Sequence, residues 1–108
     1  MNSDLQACIQ ACNACALTCE HCASACLQEN DVEAMANCIR LDRDCADMCR
    51  MAAALMARGS DYAMTFCELC GQVCDDCAVE CARHEAEHCQ RCAAQCRECA
   101  EACRSMAA

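Results

Sequence analysis

The sequence contains no proline and no tryptophan, and it has only two glycines, Gly59 and Gly71. Proline and glycine most often interrupt helices, so their scarcity favours long helices and argues against a loop-rich scaffold. There is one tyrosine and one phenylalanine, and much of the 57% apolar content is cysteine and alanine. Because such small side chains bury little area, burial alone gives modest stability and a ligand is expected to add to it.

Basic residues are also scarce. Eight Lys and Arg stand against 17 Asp and Glu, the net charge is −9, and no basic run occurs. This excludes nucleic acid and an anionic membrane surface as expected partners. The first ten residues lack a basic segment followed by an apolar run. We therefore expect neither a secretory signal nor a transmembrane span, and the predicted location is cytoplasmic.

Cysteine is what the chain has in excess, with 19 residues. An odd number cannot pair completely within one chain, and thiols on one helix face lie side by side, a poor geometry for disulfides. In a reducing compartment these residues are expected to remain thiols or to bind metal.

The cysteines recur mainly in alternating steps of three and four residues. Since a helix has about 3.6 residues per turn, such steps keep the thiols on one face. That face normally holds Leu, Ile or Val and forms the core of a bundle. The cysteines are Cys8, Cys12, Cys15, Cys19, Cys22, Cys26, Cys38, Cys45, Cys49, Cys67, Cys70, Cys74, Cys77, Cys81, Cys89, Cys92, Cys96, Cys99 and Cys103.

Four helices are predicted, at about 4–28, 32–58, 61–84 and 87–106. A helix of 25 residues is roughly 37 Å long, and four of them with short connections form an up-down-up-down bundle. The predicted fold class is all-α, an antiparallel four-helix bundle with a cysteine-lined core. No linker remains, so residues 1–108 are predicted to form a single domain.

Helix boundaries follow from capping residues. Ser3 and Ser60 are the predicted N-caps of the first and third helices, and Asn30 or Asp31 can cap the second. Gly59 is predicted to follow the second helix as a C-terminal cap glycine. Gly71 lies inside the third helix, where a close backbone approach would explain it.

The two ends of this bundle are predicted to differ. At one end the stripe finishes in an apolar plug of Leu5, Met56, Met64 and Met106. At the other end His84 and His88 join Met35 and the last cysteines of the stripes. Imidazole is a good ligand for soft transition metals, so this end is interpreted as an entrance. Helix-terminal histidines in a simple turn remain the alternative.

Asp42 is the exception on the stripe of the second helix. The favoured interpretation is a carboxylate turned outward to Arg40 or Arg43. The alternative is a polar group inside the core, either a ligand or a proton acceptor.

The spacing of the thiols indicates the metal. Six Cys-x-x-Cys units occur in register with Cys-x-x-x-Cys steps. Cβ atoms at i and i+4 are about 5–6 Å apart, and two metal–sulfur bonds of roughly 2.3 Å span about 4.6 Å. This suits linear or trigonal thiolate coordination of Cu(I). Zn(II) needs closed sets of four thiolates, and an even row of thiols divides poorly into such sets. Each set would also leave a buried charge of about −2.

The stripes, together with the turn that carries Cys81, His84, His88 and Cys89, resemble the cysteine-rich four-helix-bundle copper storage proteins of the cytosolic bacterial type. The resemblance spans essentially the whole chain. It implies a homotetramer of bundles, each filled with many Cu(I) ions. It also implies metal-ligand roles for all nineteen cysteines and for His84 and His88.

On this basis the predicted function is non-enzymatic storage and buffering of Cu(I). A zinc or cadmium thiolate store and a thiol-redox buffer remain as alternatives. A redox buffer would need exposed cysteines of low pKa beside cations, whereas these cysteines lie on the predicted buried stripe. Because thiols can pack as small apolar groups, the metal-free chain is predicted to be helical already.

Overall fold

A computed structural model describes residues 2–107 of the chain. Its helices are α1 (Ser3–Cys26), a short 3-10 helix (Val32–Met35), α2 (Ala36–Ala57), α3 (Ala63–Ala82) and α4 (Glu87–Ala107). No strand occurs within residues 2–107. The predicted all-α fold is confirmed.

The helices run alternately up and down and form a rod of 44 × 17 × 17 Å. Each helix packs against the next in the chain, and α4 returns to pack against α1. The α1–α2 and α3–α4 pairs make the most extensive contacts, and buried alanines such as Ala16, Ala46 and Ala93 lie on these helices. Small side chains of this kind let helices approach closely, which brings their thiols together at the axis.

The helix ends depart from the predicted caps at two places. Asn2, not Ser3, is the N-cap of α1, because its Oδ1 accepts the Leu5 backbone N–H at 2.7 Å. The Ser60 hydroxyl accepts the Tyr62 backbone N–H at 3.1 Å, and α3 begins only at Ala63. In both places an oxygen still satisfies a backbone donor near the helix start, as capping requires.

The second helical segment begins with a 3-10 turn, so α2 starts four residues later than predicted. Asp31 Oδ1 accepts the Ala34 backbone N–H at 3.3 Å and caps this turn. At the other end Gly59 has φ +66°, and the Ser60 N–H reaches the Leu55 carbonyl at 2.9 Å. This is a Schellman ending, in which glycine adopts the left-handed conformation without steric cost, and the predicted cap at Gly59 is confirmed.

The apolar plug is only partly as predicted. Met56 is buried, and Leu5 and Met106 are half-buried against the core. Met64 is 39% exposed, however, and Ala63 takes the inward position at the start of α3. Residue 63 lies one four-residue step before Cys67 on the same face, and this step brings alanine rather than methionine to the axis.

No helix within residues 2–107 combines the length and the hydropathy that a bilayer-spanning helix would need.

Candidate metal centre

All nineteen thiols line the axis of the bundle. Each cysteine is 0% exposed, and each is a free thiol. The shortest of the sulfur–sulfur contacts joins Cys38 to Cys81 at 3.4 Å, far longer than the roughly 2.05 Å of a disulfide bond. The predicted cysteine-lined core is therefore present as a continuous column of reduced sulfur.

Thiols one turn apart on the same helix form pairs, as the spacing predicted. The Cys15–Cys19, Cys45–Cys49 and Cys92–Cys96 sulfurs are each 3.9 Å apart. This is shorter than the roughly 4.6 Å that a linear two-coordinate ion requires. A rotamer change would have to open these pairs for linear coordination.

Contacts between helices are at least as close. Cys45 of α2 lies 3.5 Å from Cys74 of α3, and Cys19 of α1 lies 3.6 Å from Cys96 of α4. Cys49 of α2 reaches Cys99 of α4 at 3.8 Å, across the bundle axis. Three sulfurs around one ion at 2.3 Å would be about 4.0 Å apart, and four in a tetrahedron about 3.8 Å. These distances suit ions shared between helices.

The thiols form groups of four that overlap. Within each group all ligand atoms lie within 4.8 Å of one another. Several cysteines belong to two groups, so neighbouring groups cannot each hold a separate tetrahedral ion at the same time. Four of these groups are Cys15, Cys19, Cys45, Cys96; Cys15, Cys49, Cys74, Cys99; Cys19, Cys77, Cys92, Cys96; and Cys22, Cys26, Cys38, Cys89. Sharing of this kind favours bridging thiolates over closed zinc sites.

Asp42 lies inside the column with 0% exposure. Its Oδ1 accepts hydrogen bonds from the thiols of Cys77, Cys81 and Cys92 at 3.2 to 3.3 Å. Its Oδ2 lies 3.8 Å from Cys38 Sγ. Burial, followed by the neighbouring Cys92 charge, raises the pKa of Asp42 from 3.8 to about 8. The Asp42 carboxyl oxygens thus accept from thiols of three helices, α2, α3 and α4.

The favoured interpretation of Asp42, a carboxylate turned outward, is wrong. Arg40 bonds to Asn37, and Arg43 pairs with Glu20 of α1 at 3.5 Å. Both arginines lie on the solvent side of α2, whereas position 42 is one turn beyond Cys38 and faces the axis. The converging thiols replace water as partners of the carboxyl group, which makes its burial tolerable.

The histidine end has two different imidazole environments. His88 Nε2 lies 3.6 Å from Cys26 Sγ, so this ring meets the thiol column directly. His84 Nε2 lies 2.8 Å from Glu80 Oε2 instead. Both histidines are half-buried at the end of the bundle where Met35 is also buried. The structure thus brings both predicted histidines to one end, although only His88 touches a thiol.

Sequence reasoning missed the role of Glu80, which is buried at 9% exposure. The signal was available in principle, since Glu80 and His84 are separated by four residues and such pairs meet on a helix.

Burial keeps protons on two of the thiols at this end, those of Cys26 and Cys89. Desolvation and the nearby Cys38 charge raise the pKa of Cys89 to about 11, and they also raise the pKa of Cys26. A metal that binds these sulfurs must therefore displace their protons, which couples binding to pH.

The model of the copper storage protein family matches residues 1–108. An uncharacterized cysteine-rich protein of Bacillus subtilis strain 168 is 47% identical over 68 residues, or 63% of this chain and 63% of that protein. The matched stretch is thus less than two thirds of that relative's length.

Several solved structures are similar over nearly the whole chain, among them two copper storage proteins. The Cu(I)-bound copper storage protein BsCsp3 has a TM-score of 0.94 and 45% identity, covering 98% of this chain and 100% of that one. A cytosolic copper storage protein from Streptomyces lividans, loaded with five coppers, has a TM-score of 0.93 and 41% identity, covering 96% and 92%.

Proposed function

The chain belongs to the copper storage protein family, and we propose on that premise that it is a cytosolic store which holds many Cu(I) ions on its core thiolates. One observation carries this function: nineteen buried thiols line the axis of the bundle, and most of them belong to groups of four that overlap. Cu(I) accepts two or three thiolates and tolerates bridging, so such a column can fill with ions. Nineteen thiolates sharing a comparable number of Cu(I) ions carry little net charge, which lowers the cost of burial.

We propose all nineteen cysteines as ligands, with His84 and His88 as further ligands at the end where ions enter. The contact of His88 with Cys26 supports this assignment, since an ion held by the imidazole could pass to the adjacent thiolate. The same end also contains Cys89, whose sulfur is 3.8 Å from Cys26.

The two alternatives are less well supported by the geometry. Three of the groups share no member and could each hold a zinc or cadmium ion, but a thiol that belongs to two groups then serves only one of them, whereas bridged Cu(I) uses every group. A thiol-redox buffer would need thiols that oxidants can reach, whereas every cysteine is 0% exposed.

The proposal extends to the assembly and role of the molecule. We propose a single-domain bundle that binds and releases copper without catalysing a reaction, and that assembles as a homotetramer. The family's storage role supports the first part. The exposed apolar side chains of Met51 on α2 (47%) and Leu69 on α3 (52%) are candidate contacts between subunits. Analytical ultracentrifugation of the metal-free and copper-loaded protein tests the oligomeric state.

The decisive experiment is an anaerobic Cu(I) titration of the fully reduced protein against a chromophoric chelator. Retention of many more than about nine equivalents, the number allowed by two unshared thiolates per ion, supports a shared thiolate store. Saturation at about four or five equivalents, with Zn(II) bound equally well, would instead indicate separate tetrahedral sites.

A further inference from the structure

Glu80 and Asp42 are the two buried acidic residues within residues 2–107, and Glu80 lies beside a histidine instead of the thiols. Both oxygens of Glu80 are engaged. Oε2 is 2.8 Å from His84 Nε2, and Oε1 accepts Arg83 Nη1 at 3.0 Å. The side chains of Glu80 and His84 are only 11% and 18% exposed, so water competes little for their contact.

This contact fixes the tautomer of the His84 ring. An ionised carboxylate has acceptors and no donor, so the hydrogen in the contact belongs to the imidazole. His84 Nε2 therefore carries the proton and donates it to Glu80, and in the neutral ring Nδ1 then keeps an unprotonated lone pair. A neutral imidazole binds metal through such a lone pair, with its orientation set by the hydrogen bond of the other nitrogen.

The turn that carries the ring is fixed as well. The side-chain amide of Gln90 on α4 donates to the carbonyls of His84 at 2.6 Å and Ala82 at 3.2 Å. Carbonyls at the end of a helix have no backbone donor further along it, so the Gln90 amide supplies the hydrogen-bond donor here. The His84 backbone N–H reaches the Cys81 carbonyl at 3.1 Å. The backbone of the turn that carries the His84 ring is thus held by contacts from both α3 and α4.

We propose that Glu80 is a positioning residue, which holds the His84 ring so that Nδ1 is the atom that receives Cu(I) at the entrance of the bundle. This inference rests on the proposed function and adds to it a tautomer, a donor atom and a residue that binds no metal itself. His88 differs, since its Nε2 faces the Cys26 thiol. The two histidines therefore offer different nitrogens to an incoming ion.

The first test needs no substitution. Heteronuclear NMR of the imidazole nitrogens in the metal-free reduced protein, above the pH at which the rings are neutral, reports the tautomer of each histidine. We expect His84 in the Nε2–H form. A His84 ring that is predominantly in the Nδ1–H form overturns the inference, whether or not the protein binds copper.

The second test measures Cu(I) uptake at less than one equivalent, by stopped-flow transfer from a chromophoric Cu(I) chelate. Glu80→Gln removes the carboxylate and lets the side-chain amide donate to the ring, which reverses the preferred tautomer. Loss of such an outer partner costs about 10–100-fold in metal affinity or activity, so we expect uptake at least about tenfold slower. His84→Ala should show a similar loss, and the double variant should lose no more than either single one.

Glu87→Gln is the matched control. It removes the same charge at the same end of the bundle, but Glu87 is 86% exposed and pairs with Arg91 outside the core. Total copper capacity should be unchanged in Glu80→Gln and Glu87→Gln, because all the thiols and both histidines remain. A wild-type uptake rate in Glu80→Gln would refute the positioning role, and so would a wild-type rate in His84→Ala. Failure of the wild-type protein to retain Cu(I) would instead refute the proposed function.

Discussion

Asp42→Asn should stabilise the metal-free protein above about pH 5 and remove part of its pH dependence. Below the usual pKa of 3.8 the carboxyl is protonated in both the folded and unfolded states. Between that value and the folded pKa of about 8, the unfolded chain releases a proton that the folded chain retains. Folding then takes up one proton, so the free energy of unfolding falls as the pH rises.

The magnitude follows from the two pKa values. A one-proton difference corresponds to about 1.4 kcal/mol per pH unit, so Asp42 removes about 4 kcal/mol between pH 5 and pH 8. The asparagine side chain has nearly the same shape and still offers Oδ1 to the thiols of Cys77, Cys81 and Cys92. Asparagine holds no titrating proton, so the fall in the free energy of unfolding that Asp42 causes between pH 5 and pH 8 should be absent in the variant.

The assay is urea denaturation followed by circular dichroism, under anaerobic conditions with reductant and a metal chelator. The difference between wild type and variant cancels the titrating groups remote from position 42 and reports Asp42 together with its coupling to the neighbouring thiols. Asp47→Asn is the control, because Asp47 is on the same helix and its side chain is 72% exposed. Parallel pH profiles for wild type and Asp42→Asn would show that the buried carboxyl holds no proton, and the reasoning would be refuted.

Three further outcomes are expected. Gly71→Ala should raise the free energy of unfolding by about 0.5–1 kcal/mol, because alanine favours the helix and the added Cβ would lie 3.5 Å from Cys103 Cβ, an ordinary contact. Thermal denaturation measures this change, and a loss of stability would mean that α3 and α4 cannot accept the methyl group. Asn2→Ala should cost about 1 kcal/mol whereas Ser3→Ala should cost little, since only Asn2 caps α1; equal effects in urea titrations would contradict this cap. The apparent Cu(I) affinity, measured by chelator competition, should rise from pH 6 to pH 8. Burial raises the pKa of Cys89 to about 11, so the metal must displace protons. An affinity that does not change with pH would show that the thiols are already ionised.

The sequence contained enough to predict the four helices and the buried thiols, because the three- and four-residue steps leave one face per helix. It did not determine which way Asp42 points. Local sequence offered Arg40 and Arg43 as partners, whereas the actual partners come from α3 and α4 through tertiary packing. The inward residue at the start of α3 was missed for a similar reason, since Met64 and Ala63 differ by one position of helical rotation.

Contacts between helices were also beyond the sequence pattern. Spacing along one chain predicts the Cys45–Cys49 pair, but the closer contact of Cys45 with Cys74 depends on how the helices align. The Glu80–His84 contact lay within reach of a helix-spacing argument. The bond from the Gln90 side chain of α4 to the His84 carbonyl could not be predicted in this way, because it joins two helices.

The dimensions of the rod set an effective concentration for its sulfur. A cylinder 44 Å long and 17 Å wide encloses about 10,000 Å³, so nineteen thiols within it are at about 3 M. A competing thiol at millimolar concentration in the surrounding solution is about a thousandfold more dilute. An ion that leaves one sulfur in the middle of the bundle therefore meets another sulfur of the same chain first. Net loss of copper is then restricted to the ends of the column, where the neighbouring sulfurs are present on one side only.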